Sequence, residues 1–374
     1  MTRFRRVLAG VSALAFMLLF MFGTAVAPLG AADPASTAAA NSAVTWLKTQ
    51  QQGDGGFEVA GFAGFETRDV VLAVAEAAQI GTTWNKAEAL TAVQALQAGG
   101  SGPTPLDYLE ALVAGSSDQG VAAKTVVLVS EPLGIDATAF GSVDLLAKLG
   151  GCSGTTSPTF NGLLYVIIAQ QLLCGTTPAV NITTVRDAQQ ANGGWGFAGD
   201  PSTDDLDNDT TALAVEALVG SGASASDPAV HAALVFLAQN HQSTGAWQSF
   251  GADDPNSTAT AILAITVLGF DVTTPCWRDT AVPDMAGAPY TSPDGWLRSQ
   301  QITSGADTGR IVSPSDSFGV NTIPTSQTVE GLLRSWLPVA RATAPTCVPT
   351  TTTTTTVTTV AVDANAGPPP RFTG

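Results

Sequence analysis

One stretch of this 374-residue chain crowds its carboxyl groups together: Asp204-Asp205-Leu206-Asp207-Asn208-Asp209-Thr210-Thr211-Ala212. Three kinds of chemistry use such a cluster. Asp205, Asp207 and Asp209 stand at positions 1, 3 and 5 of a calcium loop, with Glu216 at position 12. Position 6, however, holds Thr210 where that loop needs glycine, and a helical pattern already begins by Asp209. A looser surface cation site would draw on Asp200 and Asp204. Paired acids such as Asp204-Asp205 or Asp253-Asp254 would suit glycoside hydrolysis, although they read equally well as loop residues. In the third reading Asp209 caps a helix, its oxygen taking up free backbone N–H groups.

Aromatic loops form the second group of candidates. Gly193-Gly194-Trp195-Gly196-Phe197, Ala246-Trp247-Gln248-Ser249-Phe250 and Gly55-Gly56-Phe57 repeat one pattern. Gathered at one end of a fold and flanked by Asp204 and Asp205, they would wall a pocket for an apolar or ring-bearing ligand. Trp195 and Trp247 fit packing between neighbouring repeats equally well. The only histidines are His231 and His241, and no cysteines form a CxxC pair, so no zinc site and no cofactor are expected.

Composition narrows the classes. The chain is 45% hydrophobic, 12% charged and carries a net charge of −16, which disfavours nucleic acid and anionic membrane surfaces as partners. Arg3, Arg5 and Arg6 precede the apolar run Val7 to Phe22 and the small residues Gly30-Ala31-Ala32, the pattern of a secretory signal peptide over residues 1–32. The expected product is a secreted, extracellular monomer with no membrane span. In an oxidising compartment Cys152, Cys174, Cys276 and Cys347 should pair, as Cys152–Cys174 and Cys276–Cys347, each bridge stabilising by ~3–4 kcal/mol. Residues 349–374, with Thr350 to Thr356 and Pro368-Pro369-Pro370, read as a disordered tail, cell-surface association then requiring a segment beyond it.

The remaining body, 33–348, repeats. Trp46-Leu47 leads to Gln51, Gly55 and Phe57; Val185 to Gln189, Gly193 and Trp195. Phe236-Leu237 leads to His241, Gly245 and Trp247, histidine standing for glutamine. Trp296-Leu297 leads to Gln301 and Gly305, with Phe318 as a displaced aromatic. A polar start then opens an apolar helix, as at Glu66-Thr67, Asp207-Asn208, Asn256-Ser257 and Thr325-Ser326. Helices apolar all round are buried on all sides, so these lie inside and the more polar ones outside. Weaker units near 84–97, 105–114, 118–132, 141–149 and 158–174 complete six outer–inner pairs, predicting an all-α, (α/α)6 toroid in preference to an open solenoid.

The Gln-x3-Gly-x-aromatic frames, with Asp209-Thr210-Thr211-Ala212, resemble the prenyltransferase and squalene-oxidase repeat over residues 41–340. The resemblance implies the toroid of terpene cyclases, prenyltransferase β subunits and cobalamin-transport proteins. Protonation-initiated cyclases carry D-x-D-D-T-A here. Aligned on Thr211-Ala212, this chain reads Asp207-Asn208-Asp209-Thr210. The resemblance thus puts Asp209 at the general-acid position, with Asp207 beside it and Thr210 replacing the last aspartate. Two readings follow. One is a secreted, non-catalytic toroid binding a small ligand, a corrinoid among others, or a surface partner at its aromatic loops. The other is a terpene cyclase using Asp209. A purely structural surface module is the third class.

Overall fold

The computed structural model describes residues 32–59, 64–79, 83–155, 157, 159–202, 206–314, 316 and 321–342. The expected signal peptide, the Thr-rich tail, Asp204, Asp205, Phe318 and Cys347 lie outside these residues, Ala32 excepted.

Six elements form the inner layer: α2 (Thr67–Ala77), α5 (Gln119–Thr125), α8 (Phe160–Cys174), α10 (Asn208–Gly220), α12 (Pro255–Val267) and α15 (Ile323–Leu333). After Thr125, α5 runs on through a π turn, Val126–Ser130, into α6 (Glu131–Leu133). Around them lie α1 (Pro34–Lys48), α3 (Lys86–Gln94), α4 (Pro105–Gly115), α7 (Leu145–Lys148), α9 (Ala179–Asp187), α11 (Pro228–Asn240), α13 (Cys276–Ala281) and α14 (Pro293–Ser299). The inner elements touch in the order α2, α5, α8, α10, α12, α15, and α15 returns to α2. The ring is closed, which decides for the toroid over the solenoid. Small and aliphatic residues make this possible: Ala73, Ala75, Ala212, Ala214, Ala259 and Ala261 are fully buried and let the inner helices approach.

The repeated frame is a set of ties. In two repeats the glutamine donates twice, Gln189 Nε2 to Gly193 O and Ala229 O (both 2.8 Å) and Gln301 Nε2 to Gly309 O (3.1 Å) and Ala39 O (2.8 Å). Each thus clamps its own turn and the next outer helix, α11 in one case and α1 in the other. His241 takes the same place, its imidazole lying against the backbone at Gly245 and Thr291, but its buried Nε2 has no hydrogen-bond partner among the described residues, so it fills the site by packing more than by clamping it. Its imidazole, packed 4.8 Å from Trp247 and 5.2 Å from Tyr290, is pushed down to about 4 by burial and by Arg278.

A threonine at the start of four of the six inner helices forms the other tie. Thr67, Thr211, Thr258 and Thr325 accept the backbone N–H of Phe57, Trp195, Trp247 and Ile311 at 2.9–3.0 Å. The last repeat therefore departs from expectation. Ile311 takes the aromatic place assigned to Phe318, and Gly309, at φ +101°, takes the glycine place assigned to Gly305. A four-residue insertion in that turn hid the register. Trp195 and Trp247 lie opposite Asp207 and Asp254 in two-stranded antiparallel ribbons, β1 (Trp195–Gly196) with β2 (Leu206–Asp207) and β3 (Trp247–Ser249) with β4 (Ala252–Asp254). The expected Cys152–Cys174 bridge is present, tying the start of the α8 unit to its end. Cys276 is also disulfide-bonded; its expected partner Cys347 lies outside the described residues.

Candidate functional site

The ring encloses a cavity of about 1340 Å³. The threonine ties give its walls a common register. Two residues before each threonine stand Phe65, Asp209, Asn256 and Ile323; two after, Asp69, Leu213, Thr260 and Gln327; five after, Leu72, Glu216, Leu263 and Glu330. All twelve line the cavity. The i, i+4, i+7 spacing puts them on one face of each inner helix, about one turn of 5.4 Å apart. The wall therefore has three tiers.

The first tier holds Asp209. Asp207 caps α10, accepting N–H groups of Asp209 (3.3 Å) and Thr210 (3.0 Å) and the hydroxyl of Thr210 (2.5 Å). The cap is thus Asp207, not Asp209, and at the next repeat Asp254 rather than Asn256 or Ser257. Relieved of that duty, Asp209 projects into the cavity. Thr260 Oγ1 donates to its Oδ1 at 3.0 Å. Burial pushes Asp209 up to about 7, and the charges of Asp207 and Asp254 push the same way; the hydrogen bond from Thr260 opposes them. Thr210, the residue that departs from the cyclase motif, is buried and faces Asp207. The substitution therefore alters the support of the cap and leaves the cavity wall unchanged.

A polar girdle occupies the second tier. Lys124 Nζ pairs with Asp69 Oδ2 at 2.8 Å. Gln327 Nε2 donates to Asp69 Oδ1 and Asn256 Nδ2 to Gln327 Oε1, both at 3.0 Å. Tyr165 lies beside it, its ring 5.8 Å from Lys124 Nζ. In the third tier burial pushes Glu216 up to about 8 and Glu330 well above the carboxylate range. Asp209, Glu216 and Glu330 therefore hold their protons to near or above neutrality, whereas Asp69 is held in its ion pair with Lys124.

Of the aromatic candidates, Phe197 and Phe250 line the cavity, together with Phe65. Phe250 is fully exposed at φ +48°, the first turn residue of the β3–β4 hairpin. Positive φ at a bulky residue is strained, and such positions collect at functional sites. Trp195 and Trp247, by contrast, are fully buried and do not line the cavity; their Nε1 atoms donate to Val185 O (2.7 Å) and Leu237 O (2.9 Å). They hold repeats together. Asp204 and Asp205 lie outside the described residues. Asp207 and Glu216 are separated along α10, and among the described residues no three His, Cys, Asp or Glu side chains converge as a metal site. The residues that sequence reasoning missed are Arg68, Lys124, Tyr165, Thr260, Gln327 and Glu330. Their available signal was a polar residue recurring at helical spacing inside an otherwise apolar helix.

No family model matches the chain, and no curated protein matches it by sequence. Solved structures do. The type II terpene cyclase MstE from Scytonema is 14% identical, covering 80% of this chain and 98% of its own, at a TM-score of 0.52. An alanine-for-aspartate variant of it bound to merosterolic acid A, described as product, is 16% identical over 81% of this chain and 97% of that one, at 0.52. An alanine-for-arginine variant bound to geranylgeranyl dihydroxybenzoate, described as substrate, is 15% identical over 80% and 97%, at 0.51. At these identities the likeness establishes the α/α toroid fold.

Proposed function

We propose that this protein is an acid-initiated cyclase of a prenyl-type polyene, with Asp209 as the proton donor. The observation that carries the reading is the placement of Asp209. It is the one carboxyl of the first tier, lining a large cavity open at one side, about half protonated at neutrality and backed by the Thr260 hydroxyl. A catalytic acid needs both properties. It must hold its proton at working pH, and its conjugate base must be stabilised once the proton leaves. Burial with Asp207 and Asp254 supplies the first; the Thr260 hydroxyl supplies the second.

The step balances simply. The Asp209 O–H bond breaks and a C–H bond forms at one end of a double bond, or an O–H bond at an epoxide. The electron-poor carbon is captured by the π electrons of the next double bond, closing a ring. Loss of a proton to water from the carbon next to the last cationic carbon turns that C–H electron pair into a new double bond and quenches the cation, and Asp209 is reprotonated from water. Phe65, Phe197 and Phe250 offer π faces to the cationic intermediates. The structural likeness to a type II terpene cyclase supports this reading over a binding-only toroid, which leaves the environment of Asp209 without a use.

The test is Asp209→Asn. Incubated with geranylgeranylated and squalene-type substrates, it should lose ~10²–10⁴-fold in cyclised product while its circular dichroism stays unchanged. The unmodified enzyme should be most active below about pH 7 and lose rate as Asp209 ionises above it. Undiminished product from folded Asp209→Asn protein would overturn the proposal.

A further inference from the structure

We infer that the cavity takes an amphiphilic substrate, holding its anionic oxygen group, a carboxylate or a phosphate, at Arg68 and Lys124 on the side of the ring opposite Asp209. This rests on the cyclase reading for the fate of the chain, but not for the recognition of the head. The first observation is convergence. Arg68 Nη1 donates to Gly64 O, and Lys124 Nζ lies 3.5 Å from the adjoining carbonyl, Phe65 O. Two cations from different inner helices therefore meet at one loop, and both line the cavity.

The second observation is an unfilled donor. Arg68 is 2% exposed. Its Nε donates to Thr125 Oγ1 at 2.9 Å, and its Nη2 has no partner among the described residues. A buried guanidinium nitrogen left without an acceptor is costly, and the cavity is where an acceptor can enter. The nearby carboxylates are engaged elsewhere. Asp69 is held by Lys124 and Gln327. Glu58 accepts the backbone N–H groups of Gly64, Phe65, Glu66 and Thr67; against its burial, the neighbouring Glu66 carboxyl first, then the Thr67 hydroxyl and these N–H groups, hold it near 2. Among the described residues no carboxylate forms an ion pair with Arg68. Asp69 and Glu58 balance the two cations in charge, so the gain from a ligand is directional: charge-assisted hydrogen bonds from Nη2, with Lys124 and Tyr165 alongside.

Orientation follows from the ring. The helix bearing Arg68, α2, and the helix bearing Asp209, α10, are three places apart among six and so face each other. A head anchored at Arg68 sends its apolar chain across the cavity towards the acid. An all-hydrocarbon polyene would leave Arg68 Nη2 without an acceptor.

The experiment measures binding to Asp209→Asn protein, so that turnover plays no part. Geranylgeranoic acid, geranylgeranyl monophosphate and geranylgeraniol would be titrated by calorimetry. The acid or the phosphate should bind at least about tenfold tighter than the alcohol. Whichever anion binds tighter identifies the head class. Arg68→Gln should erase the preference; because that buried change endangers folding, Lys124→Gln is measured in parallel and should weaken it. Equal affinity for acid, phosphate and alcohol would overturn the inference, as would a preference unchanged in every folded variant of the pair. An anion preference without cyclised product from the unmodified protein would uphold this site and sink the cyclase.

Discussion

Several buried carboxyl groups are worth more to this fold protonated than ionised. Asp209 moves from an ordinary value of 3.8 to about 7, and Glu216 from 4.5 to about 8. Glu66, beside the ionised Glu58, moves to about 9, and Glu76 and Glu330 are raised well above 4.5 by burial. Each of these acids binds its proton more tightly in the native state. Their contribution is therefore complete below about pH 4 and is lost as pH rises through 7 to 9. His241, held low by burial, works the other way between its ordinary 6.5 and about 4, and Glu58 does so below 4.5. The acids outnumber them, so the melting temperature should peak near pH 5 and fall towards pH 9. Glu216→Gln should flatten that fall and raise stability at pH 8, a thermal-melt series deciding it; an unchanged slope would mean that Glu216 is ionised and solvated. At this scale the sequence was half legible. The Asp207-Asn208-Asp209 run marks the acid, but only geometry shows that Asp207 does the capping and frees Asp209. Thr260, 51 residues further on, supports it through the fold alone.

Element by element, the frame was far more legible, because each of its letters has a mechanical reason. Glycine recurs at Gly55, Gly193 and Gly245 since the turn needs φ of +91° to +97° and runs against the backbone of the next outer helix. At Gly193 an added Cβ would strike Ala232 O. Gly193→Ala should therefore destabilise by about 2–4 kcal/mol, more than the loss of one tie in Gln189→Ala, about 1–3 kcal/mol. Denaturant midpoints would rank the two; the reverse order would show that the ties outweigh the turn. The register failed only in the last repeat, where Gly305-Ala306-Asp307-Thr308 delays the glycine to Gly309. Spacing rules cannot detect an insertion that leaves another glycine at the expected place. Weak repeats were harder for a different reason. In α7 and in the α5–π–α6 rod the elements are short or wound irregularly, so the apolar period blurs.

For the molecule as a whole, closure decides behaviour. Arg298 Nη1 bonds Ser36 Oγ (2.7 Å) and Asp33 Oδ2 (3.2 Å), and Gln301 bonds Ala39 O, so the last outer helix is stitched to the first. Inside, α15 packs on both α12 and α2. Removing residues from 321 onward should not give a shorter stable array. It should abolish cooperative melting and make α1 and α2 susceptible to limited proteolysis. A trimmed chain that still melts sharply would mean that the repeats stand independently, as in a solenoid.

The bond between Gln327 and Asp69 spans 258 positions of the chain. Read in time instead of space, it means that the two halves of one cavity wall leave the ribosome far apart. At about 5–20 residues per second, Asp69 and Lys124 wait on the order of ten seconds or more for Gln327 and Glu330. During that interval α2 displays a flank that only α15 will cover. The nascent protein must be shielded or slow to collapse, and the cavity comes into being in one late event, with no partly walled chamber before it.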